Sequence, residues 1–182
     1  MPPEIDERRR RLREDLSPQI RGEVKCDALT NALYATDGSL YQIPPLGVVS
    51  PTDARDVQEV VRYAAQERIP IFPRGAGTGI AGDSLGAGLI LDFSRFMRKV
   101  RMINESLVHV EPGVICSHLN RQLRPLGRYF APDPSNASIS TIGSMLAVDA
   151  AGSHSCRVGS TRDHVCELNV ILASGEELAL GR

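Results

Sequence analysis

The segment whose residue types most clearly indicate a chemical function is a glycine-rich loop, defined here as residues 74–82. It reads Arg74-Gly75-Ala76-Gly77-Thr78-Gly79-Ile80-Ala81-Gly82. Because glycine lacks Cβ, several backbone N–H groups can turn towards one ligand and approach it closely. Successive N–H groups of this kind form a concave anion site that suits a phosphate or pyrophosphate. Thr78 adds a hydroxyl and Arg74 a positive charge, so the sequence predicts a phosphate-binding loop.

Two common phosphate-binding motifs do not explain this loop. Gly77 to Gly82 matches G-x-G-x-x-G, but the dinucleotide-binding motif needs a helix directly after it. Residues 83–88 are poor helix formers, and the strand-like run Leu89 to Asp92 follows them. The loop also lacks the Gly-Lys-Ser/Thr ending of a P-loop. A flexible surface loop stays open as an alternative, because glycine is common in turns.

A second segment rich in small residues runs from Pro132 to His154. Small residues at this density let the backbone approach a flat ligand closely. Hydroxyls of serine and threonine can hydrogen-bond to the edges of a ring or to phosphates. Taken alone, the segment fits equally a helix that packs tightly through alanine and glycine.

Histidine and cysteine alternate near the end of the chain as His154, Cys156, His164 and Cys166. Zinc uses such ligands, but its usual motifs place two to four residues between the paired ligands. One intervening residue is tight, so we interpret these side chains as a loop histidine and partly buried thiols. The sequence predicts no metal site.

Composition restricts the classes of function. The 182 residues carry a net charge of −1, so the basic footprint of a nucleic-acid-binding protein is absent from the sequence. We interpret the basic run at residues 8–13 as a solvated helix face, because acidic residues surround it. No apolar run approaches the roughly 18 residues of a membrane span, and no signal peptide is evident. We expect a cytoplasmic location, which is compatible with peripheral association with a membrane.

Short helices and strands must position the two segments. Apolar spacing predicts helices at 3–16, 27–35, 53–68 and 117–126, and strands at 46–49, 71–73, 89–92, 100–103, 107–111 and 167–173. The small residues at 141–151 indicate a helix or a turn. Thr52 and Asp53 offer an N-cap to the third helix. The order of elements predicts an α+β or mixed α/β fold with short strands.

The order of motifs resembles the FAD-binding domain of the PCMH-type, or vanillyl-alcohol-oxidase-like, flavoproteins. The motifs are Pro-Arg-Gly-Ala-Gly-Thr-Gly from residue 73, Leu-Asp at 91–92, Val-Glu-Pro-Gly-Val at 110–114, Pro-Asp-Pro at 132–134 and Ser-Thr-Ile-Gly at 140–143. The resemblance covers about residues 44–178. Residues 34–44 and 152–165 are similar to the glycolate oxidase and D-lactate dehydrogenase branch. It implies an N-terminal helical lead-in at 1–43 and the first part of an FAD-binding domain at 44–182, incomplete at its C-terminal end.

The resemblance also implies roles for individual residues. Backbone N–H groups from Arg74 to Gly79 would wrap the FAD pyrophosphate. The full candidate cofactor-binding set is Arg74, Gly75, Ala76, Gly77, Thr78, Gly79, Gly82, Pro132, Ser140, Thr141, Gly143, Ser144, Met145, Val148, Asp149 and Gly152. FAD is expected to be non-covalent, because Thr78 stands where some relatives carry the attaching histidine.

This chain departs from the family pattern in the second segment. Ser144 stands in place of a second glycine and Asp149 in place of asparagine, and Ala151 stands where the family has glycine or a small residue. A carboxylate near a diphosphate is repelled unless it is paired. The pairing of Asp149 therefore bears directly on cofactor affinity.

The implied activity is FAD-linked oxidation of a small 2-hydroxy acid such as glycolate or D-lactate, with hydride transfer to the flavin. The substrate and the catalytic base would belong mainly to a later domain, and an iron–sulfur cluster to a part not present here. The electron acceptor and the catalytic residues are not indicated. An aldonolactone oxidase, a reductase of cell-wall precursors and a non-catalytic nucleotide- or partner-binding module remain alternatives. An exposed strand edge would also permit self-association.

Overall fold

The computed structural model describes residues 3–181, so the predicted domain ends at residues 1 and 182 lie outside the described residues. Two lobes follow each other along the chain. The first lobe, residues 3–97, contains α1 (Pro3–Leu16), β1 (Glu23–Lys25), α2 (Ala28–Tyr34), β2 (Gly47–Ser50), α3 (Ala54–Gln66), β3 (Ile71–Arg74) and β4 (Leu89–Asp92). The second lobe, residues 98–181, contains β5 (Val100–Met102), β6 (Val108–Val110), α4 (Cys116–Leu123), α5 (Ile142–Ala147), α6 (Ser155–Val158), β7 (Glu167–Ile171) and β8 (Glu177–Gly181).

The first lobe is built on one four-stranded sheet of order β1-β2-β4-β3. β4 lies between β2 and β3 and pairs in parallel with both, so Ile90 faces Val48 on one side and Phe72 on the other. All four residues of β4 are buried. An uninterrupted apolar run of this kind is typical of a strand covered on both faces. β1 adds an antiparallel edge to β2.

Helix α3 covers this sheet and begins where the sequence predicts. The Asp53 side chain caps it by accepting a hydrogen bond from the backbone N–H of Asp56 at 3.1 Å. Its apolar face is buried at Val57, Val60 and Ala64, which recur at helical spacing. These side chains pack with α1 and the sheet into one core whose fully buried members include Leu12, Leu16, Val49, Val60 and Leu89.

The second lobe has a smaller core and two separate antiparallel hairpins, β5–β6 and β7–β8. The core joins α4 to α5 through Val114, Cys116, Leu119, Leu123, Ile142 and Met145. The β7–β8 hairpin meets the first lobe, where the Arg62 guanidinium donates to the Gly175 carbonyl at 3.3 Å. Every residue of β8 is exposed.

The α+β architecture expected from the sequence is confirmed. The predicted helices and strands are present, although the fourth helix ends at Leu123, where a 3₁₀ turn follows it, and the segment predicted at 141–151 is helical only over Ile142–Ala147. β1, α6 and β8 are additional elements that the sequence pattern did not indicate. β1 lies before the predicted domain boundary at residue 43 and pairs with β2, which lies after it. The boundary itself stays a prediction. No helix within residues 3–181 is long and apolar enough to cross a membrane.

Candidate cofactor-binding site

The glycine-rich loop begins at the carboxyl end of β3, beside the carboxyl end of β4. Ligands of open parallel sheets commonly bind at this edge, where the loops that leave the strands gather. The loop therefore emerges from a rigid, buried sheet. Its residues 75–79 form no regular structure.

The fold brings the two segments together although they are far apart in sequence. The Asn136 side-chain amide donates to the Thr78 hydroxyl at 3.1 Å. The Ser140 hydroxyl in turn donates to the Asn136 side-chain oxygen at 2.7 Å. A Cβ on Gly75 would overlap the hydroxyls of Thr141 and Ser144. The first strand-to-loop segment thus lies directly against the second segment, and only glycine fits at the point of closest approach.

Helix α5 presents these hydroxyls because its first turn is capped. Thr141 is 1% exposed and its hydroxyl accepts from the Ser144 backbone N–H at 3.3 Å. The same hydroxyl donates to the Ser144 hydroxyl at 3.0 Å. Ile142 and Met145 anchor the helix in the core of the second lobe. Met145 is therefore packed inside the protein, and its predicted position along a cofactor stays a prediction.

The Arg74 guanidinium lies against Gly77 of the loop and is hydrogen-bonded to the lead-in. It donates to the carbonyls of Tyr34 at 3.3 Å and Thr36 at 2.8 Å, both in the predicted lead-in. It also lies 5.1 Å from the centre of the Tyr34 ring. The predicted contact of its charge with a phosphate stays a prediction. Arg74 connects the loop to the lead-in.

Asp149, the predicted source of repulsion, is paired. One carboxylate oxygen accepts from the Arg162 backbone N–H at 3.0 Å, and the other contacts the Arg162 guanidinium. These bonds, led by the one from the backbone, lower the pKa of the Asp149 carboxyl. Its φ of 49° is left-handed, a conformation that Asp and Asn tolerate better than most residues. The negative charge at this position is therefore balanced.

Asp133 ties the loop at 132–134 to the turn at 152–154, a connection that sequence reasoning missed. Its carboxylate accepts from the Ser153 hydroxyl at 3.0 Å and the His154 backbone N–H at 3.3 Å, and also contacts the His154 ring. The hydrogen bond with His154 lowers the pKa of Asp133. Gly152 is pressed against Asp133, and a Cβ there would overlap it. The Pro-Asp-Pro motif was the one available signal, since prolines fix the backbone on both sides of the carboxylate.

The remaining predicted cofactor-binding residues differ in how far they are exposed to solvent. Pro132 and Ser140 are buried, whereas Val148 is 67% exposed. Gly82 has a φ of 80° and packs against the Tyr41 ring of the lead-in. Within residues 3–181, no group of three or more histidine, cysteine or acidic side chains is arranged to hold a metal ion.

Residues 45–181 match the family model described as FAD binding domain, and the chain belongs to that family. D-2-hydroxyglutarate dehydrogenase of Pseudomonas putida is 42% identical over 164 residues, which cover 87% of this chain and 16% of that protein. Glycolate oxidase subunit GlcD of Bacillus subtilis is 33% identical over 153 residues, which cover 82% of this chain and 33% of that subunit. The predicted resemblance to PCMH-type flavoproteins is confirmed.

Solved structures agree with this assignment. Alkyldihydroxyacetonephosphate synthase superposes with a TM-score of 0.80 at 25% identity, covering 96% of this chain and 38% of that one. 6-Hydroxy-D-nicotine oxidase from Arthrobacter nicotinovorans shares the fold with a TM-score of 0.79 at 23% identity, covering 91% of this chain and 36% of that one. The chain thus spans well under half the length of the proteins to which it is similar.

The residues present fit the cofactor named by the family. FAD carries a diphosphate that needs hydrogen-bond donors without the bulk of side chains. The glycine-rich loop offers backbone N–H groups, and Gly75 lies against two hydroxyls with no room for a Cβ. The paired charge of Asp149 removes the main electrostatic objection to a diphosphate nearby.

Proposed function

We propose that this chain is the FAD-binding first part of an FAD-linked oxidoreductase that oxidises a 2-hydroxy acid. The observation that carries the proposal is the close contact between Gly75 and the first turn of α5. It joins the two predicted halves of one binding surface. The similarity to D-2-hydroxyglutarate dehydrogenase and glycolate oxidase supports the substrate class.

The roles of the chain's own residues follow from their positions. Backbone N–H groups of residues 75–79 would bind the pyrophosphate, because glycine permits their close approach. The Ser144 hydroxyl, held beside the loop, would donate to a phosphate oxygen. Bound FAD supplies the hydride acceptor, and the protein supplies its position and surroundings. The substrate site would be formed mainly by residues that follow this chain in a longer protein.

The cofactor is proposed to be non-covalent. Thr78 stands at the position where some relatives attach the flavin through histidine, and its hydroxyl accepts from Asn136. A threonine hydroxyl has no comparable route to a covalent flavin bond. Denaturing the FAD-loaded protein should therefore release all of the flavin into a filtrate. Flavin retained by the denatured chain would contradict this part of the proposal.

Titration with FAD, followed by flavin fluorescence, tests the binding role directly. We expect saturable binding to this chain, or to a longer protein that contains it, and much weaker binding of riboflavin because it lacks the pyrophosphate. Equal affinities for both compounds would contradict a pyrophosphate site. Lack of FAD binding by both forms of the protein would favour a module that binds another nucleotide or a partner.

Anaerobic mixing with 2-hydroxy acids tests the substrate class in a longer, FAD-loaded protein. We expect D-2-hydroxyglutarate, glycolate or D-lactate to bleach the oxidised flavin. One molecule of the matching 2-keto acid should form for each flavin that is reduced. The L-enantiomers of the chiral acids provide the control. Bleaching by an aldonolactone alone would show that the family is right and the substrate class wrong.

A further inference from the structure

We propose that Arg74 is a positioning residue, which clamps the glycine-rich loop to the N-terminal lead-in and does not bind the cofactor itself. The proposal deepens the proposed function and rests on it for the loop's role in FAD binding. The contacts of the clamp are present in the protein without cofactor, so the clamp and the proposed function can fail separately.

The first part of the clamp is the guanidinium of Arg74. Its two terminal nitrogens donate to the carbonyls of Tyr34 and Thr36, two residues apart, at 3.3 and 2.8 Å. These carbonyls lie at and just beyond the C-terminal end of α2, where helix carbonyls lack helical partners and a cation is favoured. Arginine's planar fork suits two acceptors at once, whereas the point charge of lysine does not.

The second part is Tyr34, whose side chain contacts both Arg74 and the sheet residue Asp92. Its ring lies 5.1 Å from the guanidinium carbon, within the range of a cation–π contact. Its hydroxyl donates to Asp92 at 2.5 Å, and Asp92 is only 2% exposed. Burial, and then the bond to Asp92, keeps the pKa of the Tyr34 phenol above its usual range, so the hydroxyl stays a donor.

Asp92 is itself fixed at the end of β4. Its other carboxylate oxygen accepts from the Ser94 backbone N–H at 2.8 Å and from the Ser94 hydroxyl at 2.7 Å. A continuous set of contacts therefore runs from the buried sheet through Asp92 and Tyr34 to Arg74. The segment that carries the acceptors of Arg74 is therefore tied to the buried sheet.

The third part is the contact of the lead-in with the loop and with the residues that directly follow it. The Gly38 backbone N–H donates to the Gly77 carbonyl at 3.0 Å. The Ser84 hydroxyl donates to Asp37 at 3.1 Å. Gly77 has a φ of 66°, and a Cβ there would overlap the Arg74 guanidinium. The space that a side chain would need is thus already filled by the clamp.

Hydrogen exchange in the absence of FAD tests the clamp. Loop exchange is followed at the Gly38 amide, whose N–H donates to the Gly77 carbonyl of the loop. We expect Arg74→Ala to speed exchange of this amide by about thirtyfold, the factor for losing two ordinary hydrogen bonds. Arg74→Lys should recover only part of the protection, because lysine cannot serve both carbonyls. Arg62→Ala is the matched control, since Arg62 also donates to a backbone carbonyl but lies remote from the loop.

The same variants in an FAD titration distinguish a clamp from a direct ligand. Faster loop exchange together with weaker FAD binding supports the clamp. Unchanged exchange with weaker binding would overturn it, because Arg74 would then act on the cofactor. If wild-type protein binds no FAD, the proposed function fails and exchange alone still decides the clamp. Should Arg74→Ala not fold, Tyr34→Phe must show a smaller increase in loop exchange; no increase would overturn the proposal.

Discussion

The two lobes support the two walls of the candidate site in different ways. The glycine-rich loop leaves a buried parallel sheet whose central strand, β4, pairs on both sides. The opposing helix α5 has six residues and rests on a core of six buried side chains. The hairpin β7–β8 adds strands whose residues are mostly exposed. One wall is therefore fixed by a layered core and the other by a smaller core and the hydrogen-bonded cap of α5.

This difference indicates how the site tolerates change. The close contact at Gly75 requires both walls to hold their positions, since the hydroxyls of Thr141 and Ser144 lie where a Cβ would be. Damage to the first lobe should unfold the chain as a whole. Damage to the second wall should weaken cofactor binding before it weakens the fold.

The largest expected effect comes from the central strand. Leu89 is 0% exposed, and Leu89→Ala should lower the free energy of unfolding by about 2–5 kcal/mol through lost burial and a cavity. Leu180 in β8 is 47% exposed, and Leu180→Ala should change stability by less than about 0.5 kcal/mol. Urea denaturation measures both. Similar losses in the two variants would contradict the contrast between the lobes.

The next largest effect is expected at Asp56, which connects α3 to the segment before β1 and to the segment after β2. Its carboxylate accepts from the backbone N–H groups of Arg21, Gly22 and Thr52 and from the Thr52 hydroxyl, at 2.7–3.0 Å. Asp56→Ala leaves these donors unpaired, at a cost of about 2–3 kcal/mol in stability by urea denaturation. A loss within experimental error would show that water replaces the carboxylate.

The same residue predicts a pH dependence. Burial raises the pKa of Asp56, but its hydrogen bonds outweigh burial and lower the pKa below the usual value. A lowered folded-state pKa stabilises the protein above the unfolded value, near 3.9, and this contribution is lost as the pH falls through the folded pKa. Asp56→Ala should therefore flatten the acid limb of a stability–pH curve. Asp133→Asn, at a half-buried site, should flatten it less.

A smaller effect is expected at the cap of α5. Thr141→Val keeps the shape of the side chain but removes the hydroxyl that accepts from the Ser144 N–H. The cost in stability should be about 1 kcal/mol. FAD affinity should fall more than this loss suggests, because the Ser144 hydroxyl loses its partner beside the loop. A loss of stability without a loss of FAD affinity would show that α5 is not part of the FAD-binding site.

The smallest effect is chemical. Cys156 and Cys166 are exposed, whereas Cys116 is buried and Cys26 is half-buried. Burial raises the pKa of the Cys26 thiol to about 11, and burial also raises that of Cys116. A thiol reagent at neutral pH should therefore label Cys156 and Cys166 first, since the thiolate is the reactive form. Rapid labelling of Cys116 in folded protein would contradict the packing of the second core.

Sequence reasoning located the elements with strong local signals. The cap at Asp53, the apolar spacing of α3 and the buried run of β4 each carry a pattern that determines structure on its own. β1 and β8 lacked such a pattern, because β1 has a single apolar residue and the apolar run of β8 is too short to distinguish a strand from a helix. Strand pairing supplied what the pattern did not.

The site was predictable in the same uneven way. The glycine-rich loop and the hydroxyls of the second segment stood out by residue type. The partners of Arg74 did not, because backbone carbonyls forty residues away have no signature in the sequence. The pairing of Asp149 with Arg162 was hidden for a related reason, since the turn between them decides whether they meet. Residue types indicated the chemistry, and tertiary contacts decided which charges were available.

The central claim, that the glycine-rich loop binds FAD, is tested most directly by two matched glycine variants. Gly77 and Gly127 have φ values of 66° and 67°, so alanine imposes similar backbone strain at both. Only Gly77 lies in the loop, and a Cβ on Gly127 would meet open space. In FAD titrations of the same protein, Gly77→Ala should weaken binding at least about tenfold and Gly127→Ala should not. Wild-type affinity in both variants would contradict the account.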